Sequence, residues 1–468
     1  MRPVALLSSS RVVTFGLVAV SLAATVILLA DVYHGPYPVL ALIVVAFAAL
    51  GLVLARPQLR RGLRLGTVLA LSGALLVAAT VAPPRSNEDL WAYAMYGRII
   101  VEYGANPYVH PPSDYADDPL FDRVFWQDTT ARYGPVFIGI TAIVASGAGS
   151  SPLATRLGYQ GLAAVSVFLA LMLVARQTRS AAAVAAIGLN PVTAYVVVNG
   201  GHNDALVGLG ILLGVILAKR DKPIPATMAL TAAALVKATA GLALVAYLVW
   251  LAYRRRPSTL VGPVAVAAGI SIPLLLVFGL RNVISPLAGA RETVLPHSPW
   301  NLLRSGGVER ALGLDLYGPV GSPGSLSTIA FVFVVLVAAV VVLGHVRDAT
   351  PFFVITGAVL AYLFASIYTP PWFAAWVFPA LALHWRARVS LCAFAFFAML
   401  TIDEVYGHAI FPQAFSRQHN FQVLLATWIN TLAMVAAAGA LAVLVAFAVT
   451  ARGRPDAPTG QSPAAVTS

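Results

Sequence analysis

Apolar runs of membrane-crossing length recur from one end of this chain to the other, and no feature restricts its fold more. A helix needs roughly 20 apolar residues to cross a bilayer. Segments of about that order fall near 12–32, 37–55, 65–82, 157–175, 181–199, 204–218, 259–280, 326–344, 349–367, 372–385, 389–403 and 421–449. Of the 468 residues, 59% are hydrophobic and 10% charged, whereas a soluble chain carries about 25% charged residues. The expected fold is therefore all-α: a polytopic integral membrane protein of about 12–14 spans.

Charge sets the expected orientation. The net charge is +12, and the basic residues cluster between apolar runs: Arg56 with Arg60, Arg61 and Arg64; Arg176 with Arg179; Lys219 with Arg220 and Lys222; Arg254 to Arg256; Arg386 with Arg388; and Arg452 with Arg454. Lys and Arg in short loops mark the cytoplasmic side. A nucleic-acid partner would need a basic face on a soluble domain, and the sequence shows none. The single cysteine, Cys392, excludes a disulfide framework or a cysteine-based metal site. The N-terminal apolar stretch has the look of a signal peptide, but a second apolar run follows at once, and we take it as the first span.

Two segments conflict with simple alternation. Residues 223–253 have basic clusters on both flanks, so one crossing would violate the charge rule. Two helices of about 13 residues each, hinged at Lys237-Ala238-Thr239, satisfy it; each would reach about 20 Å, short of the roughly 30 Å hydrocarbon core. Residues 134–149 fit best as a short helix that starts and ends on the outer side. That gives about 14 crossings with both termini cytoplasmic, in a plasma membrane, with an outward-facing active site. Residues 1–64 then form two N-terminal spans, 65–450 a membrane domain with outer loops 83–133 and 281–325, and 451–468 a disordered cytoplasmic tail rich in Pro, Ala, Thr and Ser.

The first long loop, 83–133, carries 8 of the 18 acidic residues and ten aromatic ones. Ser86 to Asp89 has capping-box spacing, and the helix it opens places Asp89, Tyr93 and Tyr96 on one face. A carboxylate held at a membrane edge beside aromatic rings can accept a proton from a sugar hydroxyl. Glu88 and Asp89 equally complement a helix N-terminus, and the local pattern alone favours that role. Asn106-Pro107 and the prolines after it make turns, and Arg132 suits bidentate phosphate contact or interfacial anchoring.

Asp89-x-x-x-Tyr93, Gly104-x-Asn106-Pro107-Tyr108 and Tyr133-Gly134-Pro135 resemble the first-loop pattern of the GT-C superfamily of membrane glycosyltransferases. Leu189-Asn190-Pro191, followed by Asn199-Gly200-Gly201-His202-Asn203-Asp204, resembles the bacterial polyprenol-phosphomannose-dependent alpha-1,6-mannosyltransferases. The resemblance covers roughly residues 65–430 and implies a GT-C-like helical membrane domain whose outer loop bears short helices. It implies transfer of a sugar, mannose foremost, from a polyprenyl-phosphate donor to a glycan or glycolipid acceptor at the membrane lipid surface, with inversion. Asp89 would be the catalytic base and Glu88 its rival in register. Tyr93, Arg98, Asn106, Tyr108, Arg132 and Tyr133 would serve substrate. The chain departs from the simplest GT-C plan in having two extra spans before the acidic loop.

Further candidates follow from the residues themselves. His202, Asn203 and Asp204 lie between two spans and suit contact with a sugar or phosphate, or a helix cap at Asn203 or Asp204. Lys237 is an ionisable residue in an apolar hairpin, a functional candidate because its burial is expensive; it would pair with the donor phosphate or snorkel. No metal-ligand set is assigned and no cofactor is singled out, although a lone histidine with one or two carboxylates leaves room for a divalent metal. Arg281, Arg291, Glu292, His297, Trp300, Arg304, Asp403, Glu404 and His408 stay open. Tyr368-Thr369-Pro370-Pro371-Trp372 fits an interfacial aromatic belt. A secondary transporter would keep its ionisable groups on broken helices near the midplane, which only Lys237 satisfies. A non-catalytic binder of lipid-linked glycans would keep the scaffold and lose one or two side chains.

Overall fold

The computed structural model describes residues 2–32, 35–85, 89–254, 257–289, 294–301, 323–410 and 420–452, and their regular structure is helical throughout. Seven helices are long and apolar enough to cross a membrane, and a bent pair makes an eighth. Five shorter apolar helices of 10–17 residues accompany them. The fold is thus all-α and polytopic.

The chain opens with α1 (Arg2–Ala30) and α2 (Pro36–Ala55) packed on each other. A buried bond from Ser21 Oγ to the Ala46 carbonyl, 2.8 Å, joins them. Helix α3 (Leu65–Val81) leads into the long loop. That loop holds a 13-residue helix, α4 (Asp89–Val101), and two single 3₁₀ turns, before α5 (Pro135–Ala148) packs back on α4. Helix α6 (Pro152–Thr178) then runs beside α3 and α5.

The run 181–199 is not one straight span. Helix α7 (Ala181–Gly188) ends at Leu189-Asn190-Pro191, and a π-helical turn (Val192–Val198) continues at 42° to it. Proline has no N–H for the helical ladder and its ring collides with the preceding turn. The Asn190 side chain repairs the break, donating to the Ala186 carbonyl and accepting from the Val192 N–H, both at 3.0 Å. Nearly every residue of this segment is buried. A segment apolar on all sides belongs in the interior, so the break lies at the centre of the body.

Next come α8 (Asp204–Lys219) and the hairpin of α9 (Pro223–Val236) and α10 (Gly241–Arg254). The hairpin breaks where the hydropathy and charge conflict placed it: Lys237 adopts an extended conformation between two 14-residue helices. At 1.5 Å per residue each reaches about 21 Å, so the lysine stays within the body. Helix α11 (Val261–Phe278) has 6% of its apolar window buried and turns its side chains outward, as a lipid-facing helix does. A ten-residue helix, α12 (Leu280–Gly289), follows. The remaining helices are α13 (Pro323–His345), α14 (Phe352–Ala365), α15 (Ala374–Leu381), α16 (Arg388–Ile410) and α17 (Asn420–Arg452). The run 372–385 is a buried eight-residue helix flanked by 3₁₀ turns rather than a full span.

The end of the long loop is fastened to the hairpin tip. Gly134 N–H donates to the Val236 carbonyl at 2.9 Å, and a Cβ on Gly134 would collide with the Leu235 carbonyl. Glycine is required here by close approach, not by its φ. Gly134→Ala is expected to destabilise the protein by about 1–3 kcal/mol and to shift Tyr133 away from Lys237. A thermal unfolding curve matching wild type would disprove this account of the Tyr-Gly-Pro motif.

Candidate active site

The first turn of α4 carries Asp89 at a part-exposed position. The indole N–H of Trp126 donates to Asp89 Oδ1 at 3.0 Å. Crowding by protein raises the carboxyl to a pKa of about 6, against the opposing pull of the Trp126 bond and of the Lys237 charge, while Asp204 adds a smaller upward push. Asp89, Lys237 and Asp204 therefore feel one another electrostatically.

Asp204 opens α8 and is fully buried. Its Oδ1 accepts from Lys237 Nζ at 2.9 Å and from the Trp376 indole N–H. The Lys237 ammonium sits 4.2 Å from the centroid of Phe373, 5.5 Å from that of Trp376 and 5.8 Å from that of Tyr133. The ammonium is paired with the Asp204 carboxylate, and the aromatic faces add the attraction of their quadrupoles. The cation is partly accessible, with 16% of its side chain exposed.

His202 stacks flat on Trp372, centroids 4.4 Å apart at 9°. Both ring nitrogens of His202, both amide atoms of Asn203 and Asp204 Oδ2 are buried with no hydrogen-bond partner among the described residues. Asn203 occupies the N-cap position of α8 but makes no side-chain cap bond, and Asp204 is turned to Lys237. The capping role open to these residues does not hold. Buried polar groups in native proteins are almost always paired, so three successive residues with spare donors and acceptors mark a place that can receive a polar ligand.

The other sequence candidates divide. Tyr133 lies beside the site, and Tyr93 packs edge-on against it at 4.9 Å. Tyr93 is itself fully buried against Phe137 and Tyr159. Arg132 is half-buried near Tyr96. Arg98 does not reach the site: it lies nine residues beyond Asp89, about 13 Å along the axis. Its Nε is paired with buried Asp118 at 2.8 Å and its Nη1 donates to the Gly149 carbonyl. Asn106 and Tyr108 are also engaged in the loop. The Asn106 amide donates to the Phe278 carbonyl at 2.9 Å, and Tyr108 OH donates to the Tyr133 carbonyl at 2.6 Å. Glu88, Arg291, Glu292 and Arg304 lie outside the described residues, as does the side chain of His408. Among the described residues, no cluster of three or more His, Cys, Asp or Glu side chains stands ready for a metal ion.

Three aromatic residues near the site were not singled out from sequence: Trp126, Phe373 and Trp376. Trp372 was assigned with its turn to an interfacial belt, yet it is 5% exposed and covers His202. The consecutive prolines 370 and 371 were the available signal, since they turn the chain inward ahead of the 3₁₀ turn Pro371–Phe373. Nothing near Trp126 in sequence signals its bond to Asp89.

The site thus sets a part-exposed carboxylate beside a buried ion pair and aromatic rings within a polytopic helical body. A family model for the N-terminal domain of alpha-(1->6)-mannopyranosyltransferases matches residues 4–254. The chain belongs to that family and is a glycosyltransferase. It is 29% identical over 379 residues to alpha-(1->6)-mannopyranosyltransferase A of Mycobacterium tuberculosis, covering 75% of this chain and 71% of the relative. To the protein of the same name from Corynebacterium glutamicum it is 27% identical over 194 residues, 40% of this chain and 39% of the relative. Among solved structures, the archaeal oligosaccharyltransferase AglB from Archaeoglobus fulgidus, in complex with an inhibitory peptide and a dolichol-phosphate, aligns over 84% of this chain and 56% of its own. That alignment has 14% identity and a TM-score of 0.33.

Proposed function

We propose that the protein transfers mannose from a polyprenyl-phosphate donor to a lipid-linked or cell-envelope glycan on the outer face of the membrane, with inversion. One observation carries the proposal: a carboxylate, Asp89, held by the Trp126 indole N–H at 3.0 Å, shares its electrostatic surroundings with a partly accessible ammonium, Lys237. A carboxylate with a pKa just below neutrality is mostly ionised at pH 7 and still basic enough to take a hydroxyl proton. The cation supplies what a departing phosphate needs.

In this reaction Asp89 removes the proton from the acceptor hydroxyl as its oxygen attacks C1 of the mannose. The bond from C1 to the phosphate oxygen breaks on the opposite side, and polyprenyl phosphate leaves with the electron pair. Lys237 neutralises part of the phosphate charge. An alpha-linked product from an inverting step requires a beta-linked donor. The Asn203 amide and a His202 ring N–H would donate to sugar or phosphate oxygens, and Asp204 Oδ2 would accept from a sugar hydroxyl.

The test is transfer of labelled mannose to an oligomannoside by membranes carrying the wild-type chain. Polyprenyl-phosphomannose is one donor and a nucleotide-linked mannose the other. Transfer from the lipid donor alone is expected. Transfer only from the nucleotide donor would overturn the donor assignment.

A further inference from the structure

The approach to Asp89 begins at the end of α3, where ordinary capping is chemically blocked. A helix leaves its last four carbonyls without intrahelical partners. The common C-terminal motifs satisfy them with the N–H groups of the next two residues. Here the helix ends at Val81, its C-cap is Ala82, and the next two residues are Pro83 and Pro84, which have no N–H. The carbonyls of residues 79 to 83 must find donors elsewhere.

Three side chains from distant parts of the chain supply them. Arg156 Nη1 reaches the Val81 and Ala82 carbonyls at 3.1 Å each and the Thr80 carbonyl at 3.5 Å. Gln160 Nε2 reaches the Ala82 carbonyl at 2.9 Å and the Ala79 carbonyl at 3.3 Å. Asn199 Nδ2 faces the carbonyls of Ala79, Ala82 and Pro83 at 3.1, 3.1 and 2.9 Å. The three are linked to each other: Arg156 donates to Gln160 Oε1 at 3.1 Å, and Gln160 donates to the Asn199 carbonyl at 2.8 Å. Asn199 Oδ1 then accepts the Arg85 N–H at 2.8 Å. The Arg85 guanidinium is itself tied to Asp31 at 2.9 Å. Gln160 and Asn199 are fully buried.

We infer that Arg156, Gln160 and Asn199 are positioning residues for the catalytic carboxylate: they hold residues 79–85 against α6 and the π-helical turn, and so fix where Asp89 enters the site. Three residues separate Arg85 from Asp89, and two adjacent prolines stiffen the chain before it. Asn199 also begins the six-residue stretch that ends at Asp204. One short segment thereby touches both sides of the site: its first residue accepts the Arg85 N–H, and its last pairs with Lys237. A large displacement is not needed for this to matter, since about 1 Å of misplacement can lower a rate a hundredfold.

This inference rests on the proposed role of Asp89, and its test separates the two. Full-length Asn199→Leu, Arg156→Met and Arg156→Lys are compared with wild type in lipid nanodiscs. Amide hydrogen exchange across residues 85–96 needs no turnover. Transfer from polyprenyl-phosphomannose is measured as kcat and donor KM between pH 5 and 8. Asn199→Leu and Arg156→Met are expected to exchange faster in the first turn of α4. Their kcat should fall about tenfold to a hundredfold with donor KM unchanged and the acid limb of the pH profile moved. Arg156→Lys, which keeps a donor, is expected to recover most of the loss. Wild-type exchange in the first turn of α4, or a loss confined to donor KM, would overturn the inference. Faster exchange with no transfer from polyprenyl-phosphomannose even by wild type would leave the anchoring in place and overturn the donor assignment, whereas undiminished transfer by Asp89→Asn would refute the role of Asp89.

Discussion

Asp89→Asn is expected to lower mannose transfer by about 10²–10⁴-fold, the span over which a general base contributes, and to leave the folded protein intact. Asparagine keeps an oxygen for the Trp126 indole N–H but cannot take a proton. The wild-type rate should also fall about tenfold per pH unit below pH 6, because the carboxyl titrates at about 6. The variant's residual rate should lose that limb.

The folded-state pKa of Asp89 is raised from 3.8 to about 6, so the folded protein binds this proton more tightly than the unfolded chain does. That contribution is fully present below pH 4 and lost as pH rises through 6. Asp89→Asn is therefore expected to unfold at the wild-type temperature or above it at pH 7, with the difference vanishing near pH 4. Wild-type transfer in the variant would remove Asp89 from the mechanism.

The other large effect belongs to the Asp204–Lys237 pair. Breaking a buried pair by deleting one partner costs about 3–5 kcal/mol, because the remaining charge is left uncompensated. In Lys237→Met the fully buried Asp204 keeps only the Trp376 donor. Replacing both partners removes the stranded charge, so Lys237→Met combined with Asp204→Leu is expected to regain most of the lost stability. Denaturant unfolding of the two single variants and the double variant measures this coupling; additive losses would mean the pair contributes nothing as a pair. Transfer should stay low in the double variant although it folds, because the ammonium serving the phosphate is gone. Lys237 also pulls the Asp89 pKa down, so any residual activity of Lys237→Met should show its acid limb at higher pH than wild type.

The family and the helical class were legible because they depend on local pattern. Hydropathy marked the spans, and the basic clusters on both flanks of 223–253 required a break that the structure places at Lys237. The first-loop pattern pointed to the GT-C superfamily and the Leu189-Asn190-Pro191 and Asn199 to Asp204 stretches to the alpha-1,6-mannosyltransferases, and the family match agrees. The site itself was legible only in pieces. Asp89 and Asp204 stood out beside spans and Lys237 within an apolar hairpin, but Arg98, expected to serve substrate, is committed by the structure to Asp118.

The amino-acid sequence by itself determined that this chain crosses a membrane many times as helices and that the apolar run 223–253 breaks at Lys237. Each of these properties is set by a residue and its near neighbours. Tertiary structure alone decided which interruptions meet. Lys237 finds Asp204 across 33 residues, Trp126 finds Asp89 across 37, and Trp376 finds Asp204 across 172. Such meetings depend on the depth and crossing angle at which helices pack, and no local periodicity encodes either.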